Sequence, residues 1–242
     1  MIERFSRPSP RIQRALDVAR LSHQGAFRKG TGIPYIEHPV SVAVLLESHG
    51  YPENLVVAGL LHDTVEDTKY DSDAAQRGLS ELAGRNRLPC PAEAMAFREA
   101  FLAFLRDEFG PDVLELVLAV SERKNDGGVP LDWLERKRQQ LDKLAEASPA
   151  EAALKAADAI HNIESTLVDI RRLGLGVLDR FRGGSLIVWH YSAIAELASE
   201  QMDRNSPLAI RVRESARQLG QTVQSLRAEP KTAPRYPAPR VC

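Results

Sequence analysis

The sequence predicts an all-α fold, because apolar residues recur at helical spacing over most of its 242 residues. The alternation of apolar and polar residues that is typical of strands is nearly absent. The segment 25–36 contains three glycines and a proline, and it predicts a loop or a short hairpin. Hydrophobic residues make up 43% of the chain and charged residues 27%, which indicates a globular protein rather than a disordered one.

The predicted helices follow one another along the chain and are separated by proline or glycine. Pro39 suits the first turn of the second helix. The stretch 55–61 is apolar on all sides, which predicts that the third helix is buried. Gly110–Pro111, Ser148–Pro149 and Ser206–Pro207 separate the later helices. The predicted helical segments are 12–21, the residues from 40 onward, 55–65, 92–108, 113–120, 131–145, 150–170, 186–199 and 208–226.

The length of the chain suits one domain, which we assign to residues 1–227. Residues 69–91 contain two glycines and two prolines, so they predict a loop-rich insertion, either a lid over a site or a plain insertion. Residues 228–242 contain four prolines and predict a disordered tail.

Composition excludes several classes of protein. Lys and Arg total 32 against 33 Asp and Glu, so neither nucleic acid nor an anionic membrane is indicated as a partner. No apolar stretch approaches the roughly 20 residues that cross a bilayer, and no signal peptide is visible. The two cysteines, Cys90 and Cys242, indicate neither a disulfide framework nor a thiolate zinc site, and they favour a cytoplasmic protein. The amphipathic segment 208–226 leaves open a homo-oligomer.

The pair His62–Asp63 ends the apolar third helix and is the strongest indication of chemistry. Burying a carboxylate beside an imidazole is costly unless a positive charge compensates, and a metal ion does so efficiently. His38 precedes a helix start, and Asp158 lies within another apolar helix. Two histidines and two aspartates suit Mn²⁺, Fe²⁺ or Zn²⁺ in an open, catalytic site.

Other interpretations of these residues stay open. His38 is also compatible with a plain helix-start histidine, and Asp158 with an ion pair to Lys155 or to an arginine of another helix. Glu66 and Asp67 lie one helical turn beyond the His–Asp pair. Such carboxylates either orient and deprotonate a water molecule or form a solvated helix end.

Two cations, Arg28 and Lys29, lie in the glycine-rich loop before His38. Flexible backbone beside two positive charges suits a phosphorylated ligand, and an arginine also stacks on a nucleotide base. An exposed pair of loop residues is the alternative interpretation.

Together these residues resemble the HD-domain metal phosphohydrolases. Within them, the sequence is similar to the (p)ppGpp hydrolase domain of RelA/SpoT proteins and to the small alarmone hydrolases, including metazoan SpoT homologues. The resemblance covers about residues 12–200, and its motifs are specific because they occur in the family's order. The matching strings include Arg28–Lys29, Gly32–Pro39, Ala58–Thr68, Leu134–Arg138, Lys155–Asp158 and His161–Asn162.

The resemblance implies an HD-domain helical bundle around one Mn²⁺ ion. It also implies removal of the 3′-pyrophosphate from a guanosine alarmone, which gives GDP or GTP and pyrophosphate. The implied metal ligands are His38, His62, Asp63 and Asp158, and the residues implied to position and activate water are Glu66 and Asp67. Arg28 is implied to stack on the base, and the other implied substrate-binding residues are Lys29, Tyr35, Lys137, Asn162 and Ser165.

Two positions depart from the family pattern. The family commonly has basic residues where this chain has Ala159 and Glu164, and its stretch after Asp67 is shorter. Loss of cations near a polyphosphate weakens binding or changes the preferred substrate. An adenosine alarmone, (pp)pApp, therefore stays an alternative, as do another nucleotide such as NADPH, an ordinary monophosphate, and a decayed site that only binds nucleotide. The sequence carries no synthetase domain, so we expect hydrolysis only.

Overall fold

The computed structural model describes residues 9–66, 72–123, 125–126 and 129–228. Their secondary structure is almost entirely helical, which confirms the all-α prediction. Two strands, β1 (Asn125–Asp126) and β2 (Val129–Pro130), pair antiparallel, and a 3₁₀ helix covers Leu175–Arg180. The α-helices are α1 (Pro10–Ser22), α2 (Glu37–Ser48), α3 (Glu53–Leu61), α4 (Asp73–Asn86), α5 (Ala94–Phe109), α6 (Pro111–Val120), α7 (Trp133–Ala145), α8 (Pro149–Leu173), α9 (Leu186–Gln201) and α10 (Pro207–Ala228).

Helix α8 lies at the centre of the fold and packs against α2, α3, α6, α9 and α10. Its start is fixed by a capping box between Ser148 and Glu151, with Pro149 in the first turn. It ends at Gly174, whose φ of 77° is a conformation that favours glycine. Asp158 therefore projects from the middle of a long, buried and well-capped helix.

Helix α3 is buried, as the sequence predicts, with seven of its nine residues in the core. Gly59 allows α3 to lie close to α2, because a β-carbon at this position would come within 2.9 Å of the Leu46 side chain. The prediction that α3 continues to residue 65 is wrong, since the helix ends at Leu61. Thr64 donates its hydroxyl to the Leu61 carbonyl, and residues 62–66 form turns.

The prediction of a loop-rich segment at residues 69–91 is wrong for residues 73–86, which form α4. Ser72 caps this helix, and Leu79 and Leu82 are buried. Its glycines do not mark loops. A β-carbon at Gly78 would lie 2.5 Å from the Leu21 carbonyl oxygen, so glycine here permits close packing of α4 on α1.

The segment 25–36 forms a loop closed by one antiparallel bridge between Phe27 and Pro34, within the predicted loop or hairpin. The predicted tail begins at Ala228, the last residue of α10, and its residues 229–242 lie outside the described part of the chain. The assignment of residues 1–227 to one domain stays a prediction. None of the described helices is long and apolar enough to cross a membrane.

Candidate active site

The four predicted metal ligands converge between α2, α3 and α8. His38 lies in the first turn of α2, His62 and Asp63 directly follow α3, and Asp158 projects from α8. Nε2 of His38 lies 3.2 Å from Nε2 of His62, 3.4 Å from Oδ2 of Asp63 and 3.3 Å from Oδ1 of Asp158. Nε2 of His62 lies 3.2 Å from Oδ2 of Asp63 and 4.0 Å from Oδ1 of Asp158.

These donor atoms fit a divalent metal ion. Ligand atoms at about 2.1 Å from one ion lie roughly 3 to 4 Å from each other, which is the spacing of this cluster. Ligand atoms of His38, His62 and Asp158 all lie within 4.8 Å of one another. A mixed set of imidazoles and carboxylates without thiolates suits Mn²⁺, Fe²⁺ or Zn²⁺.

The electrostatics of the cluster favour bound positive charge. His38 and His62 are only 1% and 2% exposed. Burial alone would lower the pKa of His62, but the charges of Asp63 and Asp158 outweigh it and raise the pKa to about 9. Burial likewise opposes ionisation of Asp63, yet the neighbouring histidines hold the pKa of this carboxyl well below its usual range. The two carboxylates thus stabilise a cation inside the protein.

Neighbouring groups orient two of these ligands. Nδ1 of His62 lies 2.8 Å from the Gly59 carbonyl oxygen. Because a carbonyl only accepts, Nδ1 carries a hydrogen, and Nε2 is the ring nitrogen that faces the cluster and is available to a metal ion. The hydroxyl of Tyr35 donates to Oδ2 of Asp63 over 2.7 Å. Tyr35, which the resemblance implies to be a pocket residue, therefore also orients a predicted metal ligand.

Lys155, one turn before Asp158 on α8, is the third group that holds a ligand in place. Its ammonium lies 2.8 Å from Oδ2 of Asp158, whereas Oδ1 of the same carboxylate faces His38. Burial alone would lower the pKa of Lys155, but Asp158 outweighs it and raises the pKa. From the sequence, an ion pair with Lys155 and metal binding are alternative roles for Asp158. In the structure the two roles are compatible, because Lys155 contacts one carboxylate oxygen and the other faces the cluster.

His161 lies behind His38, away from the cluster. Nδ1 of His161 is 2.8 Å from Nδ1 of His38, and Nε2 of His161 is 3.7 Å from Oε1 of Glu37. Burial, together with the charges of His38 and Arg28, lowers the pKa of His161 to about 3, so this imidazole is neutral near pH 7. His161 belongs to one of the matching strings, but neither its spacing nor its neighbours in the sequence indicate this contact.

A cavity of about 1370 Å³ opens beside the metal cluster. Typical small-molecule pockets measure roughly 300 to 1000 Å³, so this one has room for a ligand larger than a drug-sized compound. The cavity is lined by every predicted site residue in the described part of the chain: Arg28, Lys29, Tyr35, His38, His62, Asp63, Glu66, Lys137, Asp158, Asn162 and Ser165. Asp67 lies outside the described residues.

On one wall of the cavity, Arg28 is tied to the metal cluster. Its guanidinium donates to Oδ1 of Asn162 over 2.8 Å and to Oγ of Ser165 over 3.1 Å. Nδ2 of Asn162 in turn donates to Oδ1 of Asp158 over 2.5 Å. The guanidinium also lies 5.9 Å from the centre of the Tyr35 ring. Three of the predicted substrate-binding residues thus form one network that ends on a predicted metal ligand.

On another wall, Glu66 and Lys137 are linked through Glu122. Oε1 of Glu66 accepts from the backbone N–H of Glu122 over 2.5 Å. The carboxylate of Glu122 lies 2.8 Å from Arg136 and 2.9 Å from Lys137. Burial opposes ionisation of Glu122, but these cations lower its pKa. The sequence does not indicate roles for Glu122 and Arg136, because only tertiary packing brings them to Glu66.

The lining of the cavity also contains a buried histidine, His190, that the sequence does not indicate as a site residue. His190 is 4% exposed, and its Nδ1 has no hydrogen-bond partner in the described part of the chain. Its ring meets the edge of Trp133 at 6.1 Å between ring centres. Burial, with the nearby charges of Lys137 and Lys155, lowers the pKa of His190 to about 2.

The two departures from the family pattern have structural explanations. Ala159 is 1% exposed and belongs to the core, where a cation would be costly. Glu164 forms hydrogen bonds of 2.9 and 3.1 Å with Arg211 and accepts a third, over 3.2 Å, from Ser215. An acidic residue at this position therefore joins α8 to α10.

Comparisons with known proteins agree with this arrangement. The HD domain family matches residues 15–84. Residues 15–84 thus match an HD domain. This confirms the family recognised in the sequence, and an HD domain implies a divalent metal ion, consistent with the four-residue cluster.

Curated relatives of this chain carry the names of a pyrophosphohydrolase and of a pyrophosphokinase. A mouse protein, guanosine-3′,5′-bis(diphosphate) 3′-pyrophosphohydrolase MESH1, is 32% identical over 152 residues, which cover 62% of this chain and 65% of the mouse protein. The Drosophila melanogaster MESH1 is 29% identical over 67% of this chain and 73% of its own length. The GTP pyrophosphokinase of Streptomyces coelicolor is 44% identical over 29% of this chain, but this match spans only 8% of that protein.

Solved structures share the fold of the HD-domain protein. The structure of a metazoan SpoT ortholog, described as hydrolysing ppGpp, superposes with a TM-score of 0.61 at 24% identity and covers 89% of this chain and 98% of the other. The Listeria monocytogenes protein lmo0812 superposes with a TM-score of 0.57 at 26% identity and covers 76% of this chain and 99% of the other. The predicted helical-bundle fold is therefore confirmed.

Proposed function

We propose that this HD-domain protein removes the 3′-pyrophosphate from (p)ppGpp, giving GDP or GTP and pyrophosphate, and that it uses Mn²⁺. The observation that carries the proposal is the convergence of two imidazoles and two carboxylates on one wall of a cavity lined by cations. The 32% identity to mouse MESH1, whose name states this activity, supports it. We place the catalytic unit in residues 1–227, in a cytoplasmic protein.

In this proposal the metal ion is held by His38, His62, Asp63 and Asp158. When bound, a divalent ion polarises a phosphate and lowers the pKa of a coordinated water. Tyr35 and Lys155 hold the oxygens of the two carboxylates, so each aspartate presents a fixed geometry to the ion. Mn²⁺ suits this mixture of nitrogen and oxygen donors.

Glu66 is the proposed base that orients the attacking water and accepts its proton. Its Oε1 is fixed by the backbone of Glu122, so the carboxylate points in one direction on the cavity wall. Asp67 follows it in the sequence, and we propose that it shares this role. Lys137, held by Glu122, and Lys155 offset negative charge that accumulates on the pyrophosphate as it leaves.

Arg28 and its partners form the proposed nucleotide site. The guanidinium presents a flat cationic surface that suits stacking on a base, while Asn162 and Ser165 fix its position. Lys29 extends the positive charge along the same loop, and Asn162 is placed between Arg28 and the metal cluster, where it would face the ribose or the phosphates.

A second candidate substrate is the adenosine alarmone (pp)pApp. The observation that favours it is the loss of two family cations, since Ala159 lies in the core and Glu164 is bound to Arg211. Neither position supplies a positive charge to the cavity. Recognition of the nucleotide therefore depends on Arg28, Lys29 and Lys137, none of which distinguishes guanine from adenine by its charge.

The experiment is incubation of purified protein and Mn²⁺ with ppGpp, pppGpp, ppApp, NADPH and a nucleoside monophosphate, with products separated by chromatography. We expect pyrophosphate from ppGpp and pppGpp. Preferential turnover of ppApp would identify the adenosine alarmone, rather than the guanosine alarmone, as the substrate. Release of orthophosphate from NADPH or the monophosphate alone would contradict the proposal.

The variant Asp63→Ala tests whether the metal cluster performs the reaction. We expect it to be inactive, because it removes a ligand and leaves the histidines without their nearest carboxylate. Asp107→Ala is the matched control, because Asp107 is exposed on α5 and far in sequence from every site residue. Full activity of Asp63→Ala, or no turnover of any substrate by the wild-type protein, would overturn the proposed function.

A further inference from the structure

Two histidines, His38 and His161, face each other through the same type of ring nitrogen. Their Nδ1 atoms are 2.8 Å apart, which is a hydrogen-bond distance. A hydrogen bond between two imidazole nitrogens needs one nitrogen that carries a hydrogen and one that does not. The pair is therefore directional: one ring donates at Nδ1 and the other accepts there.

The position of Nε2 of His38 decides that direction. This nitrogen faces His62, Asp63 and Asp158, and a neutral imidazole that binds a metal through Nε2 must carry its hydrogen on Nδ1. Nδ1 of His161 must then carry no hydrogen, and it accepts the hydrogen bond from Nδ1 of His38. The remaining hydrogen of a neutral His161 lies on Nε2, the nitrogen that is 3.7 Å from the Glu37 carboxylate.

We propose that His161 is a positioning residue for the metal site: it accepts the Nδ1–H of His38 and thereby holds Nε2 of His38 as a ligand. This inference rests on the metal site of the proposed function and adds a residue to it that does not itself touch the ion. Groups that hydrogen-bond a metal-binding histidine fix its tautomer and ring orientation.

His161 and Glu37 contribute unequally to this arrangement. The imidazole of His161 is 12% exposed, whereas the Glu37 side chain is 50% exposed and 3.7 Å away. A contact at that distance beside solvent is weak. Loss of the acceptor at His161, by contrast, leaves a buried N–H of His38 without a partner and lets the ring adopt the other tautomer.

The test is titration of the metal-free protein with Mn²⁺, followed by calorimetry, which measures binding rather than turnover. We expect His161→Leu to weaken Mn²⁺ binding about tenfold or more, the range found when such outer residues are removed. In His161→Asn the amide oxygen takes the place of Nδ1 and accepts the same hydrogen, so we expect binding within about threefold of wild type. Glu37→Gln is expected to change binding by no more than about threefold.

His49→Leu and His49→Asn are the matched controls, because His49 caps the opposite end of α2 and its side chain hydrogen-bonds to Leu45 and Ser48 there. Circular dichroism checks folding. If His161→Leu does not fold, His161→Gln serves instead, because its carbonyl lies beyond the Nδ1 position and the same loss is expected.

The outcomes separate this inference from the proposed function. Wild-type Mn²⁺ affinity in folded His161→Leu would overturn the role of His161 while leaving the metal site intact. Equal weakening in the leucine and asparagine variants would overturn it too, since the acceptor would then be irrelevant. Failure of the wild-type protein to bind Mn²⁺ would overturn both the metal site and this inference.

Discussion

The metal cluster and the Arg28 network occupy neighbouring walls of one cavity but are built in different ways. The cluster is carried by three interior helices or their ends, and its histidines are almost fully buried. Arg28 and Lys29 come from a loop, and Lys29 is exposed. The polar atoms of Arg28 are fixed by side chains of α8 rather than by its own segment. Helices and their ends thus hold the proposed metal ligands, whereas the loop contributes Arg28 and Lys29 to the proposed recognition of the nucleotide.

The two walls are joined by Asn162. It receives a hydrogen bond from Arg28 and gives one to Asp158, so a single amide connects the loop to the metal cluster. If the division between chemistry and recognition is correct, substitutions in the cluster abolish metal binding and turnover together. Substitutions in the loop then change substrate binding and leave the metal in place.

The largest effect is expected from His62→Ala, which removes one of the four proposed metal ligands. We expect Mn²⁺ binding to be lost and kcat/KM for the alarmone to fall by more than about 1000-fold, because ion and water activation disappear together. Calorimetry and a pyrophosphate-release assay measure the two effects, with His49→Ala as the control. If the variant lost activity but still bound Mn²⁺, His62 would not be needed to bind the ion, and its proposed role as a ligand would be wrong.

Much of the metal cluster could be predicted from sequence because burial makes its residues conspicuous. His62–Asp63 ends an apolar helix and Asp158 interrupts another, so each predicts a compensating charge before any contact is known. Glu122 and Arg136 lack such a signal, since both are ordinary charged residues whose partners are distant in sequence. Only packing of α7 beside the end of α6 gives them a role.

Local signals explain where the predicted elements differ from the structure. Gly78 is typical of a loop in sequence, but in α4 it serves close packing on α1. The apolar spacing of α3 continues past Leu61, but the buried hydroxyl of Thr64 takes the Leu61 carbonyl oxygen. The first error comes from a tertiary contact and the second from a local side-chain hydrogen bond, and a periodic pattern contains neither.

Glu66→Gln tests the proposed base separately from the proposed metal ligands. The substitution keeps a group that accepts from the Glu122 N–H but removes the base, so we expect kcat to fall about 100-fold or more. Mn²⁺ affinity is expected to stay within about threefold, because Glu66 is not among the converging ligands. Steady-state kinetics and metal titration test this, with exposed Glu99→Gln as the control. An unchanged kcat would remove Glu66 from the mechanism.

Arg28→Met tests the recognition wall. It removes hydrogen bonds to Asn162 and Ser165 and the cationic surface for the base, so we expect kcat/KM to fall about 30-fold, mainly through KM. Mn²⁺ affinity is expected to change by less than about threefold. Arg98→Met, on the exposed face of α5, is the control. A large loss of metal affinity would show that loss of the Arg28 hydrogen bond to Asn162 also displaces Asp158. The Arg28 network and the metal cluster would then be energetically coupled.

The smallest effect concerns stability rather than catalysis. It tests whether burial keeps His190 neutral in the cavity wall. His190 is buried and neutral, with its pKa lowered to about 2, whereas an unfolded histidine has a pKa of about 6.5. Below pH 6.5 the unfolded chain therefore binds a proton that the folded protein does not bind at His190. This favours unfolding by an amount that approaches about 1.4 kcal/mol for each pH unit once the pH lies well below 6.5.

His190→Leu removes this proton uptake, so we expect the stability difference between wild type and variant to shift by about 1 kcal/mol in favour of the variant between pH 6.5 and 5.5. Urea unfolding at several pH values measures it, and His49→Leu is the control. A wild type and variant that lose stability in parallel would mean that His190 becomes protonated in the folded state.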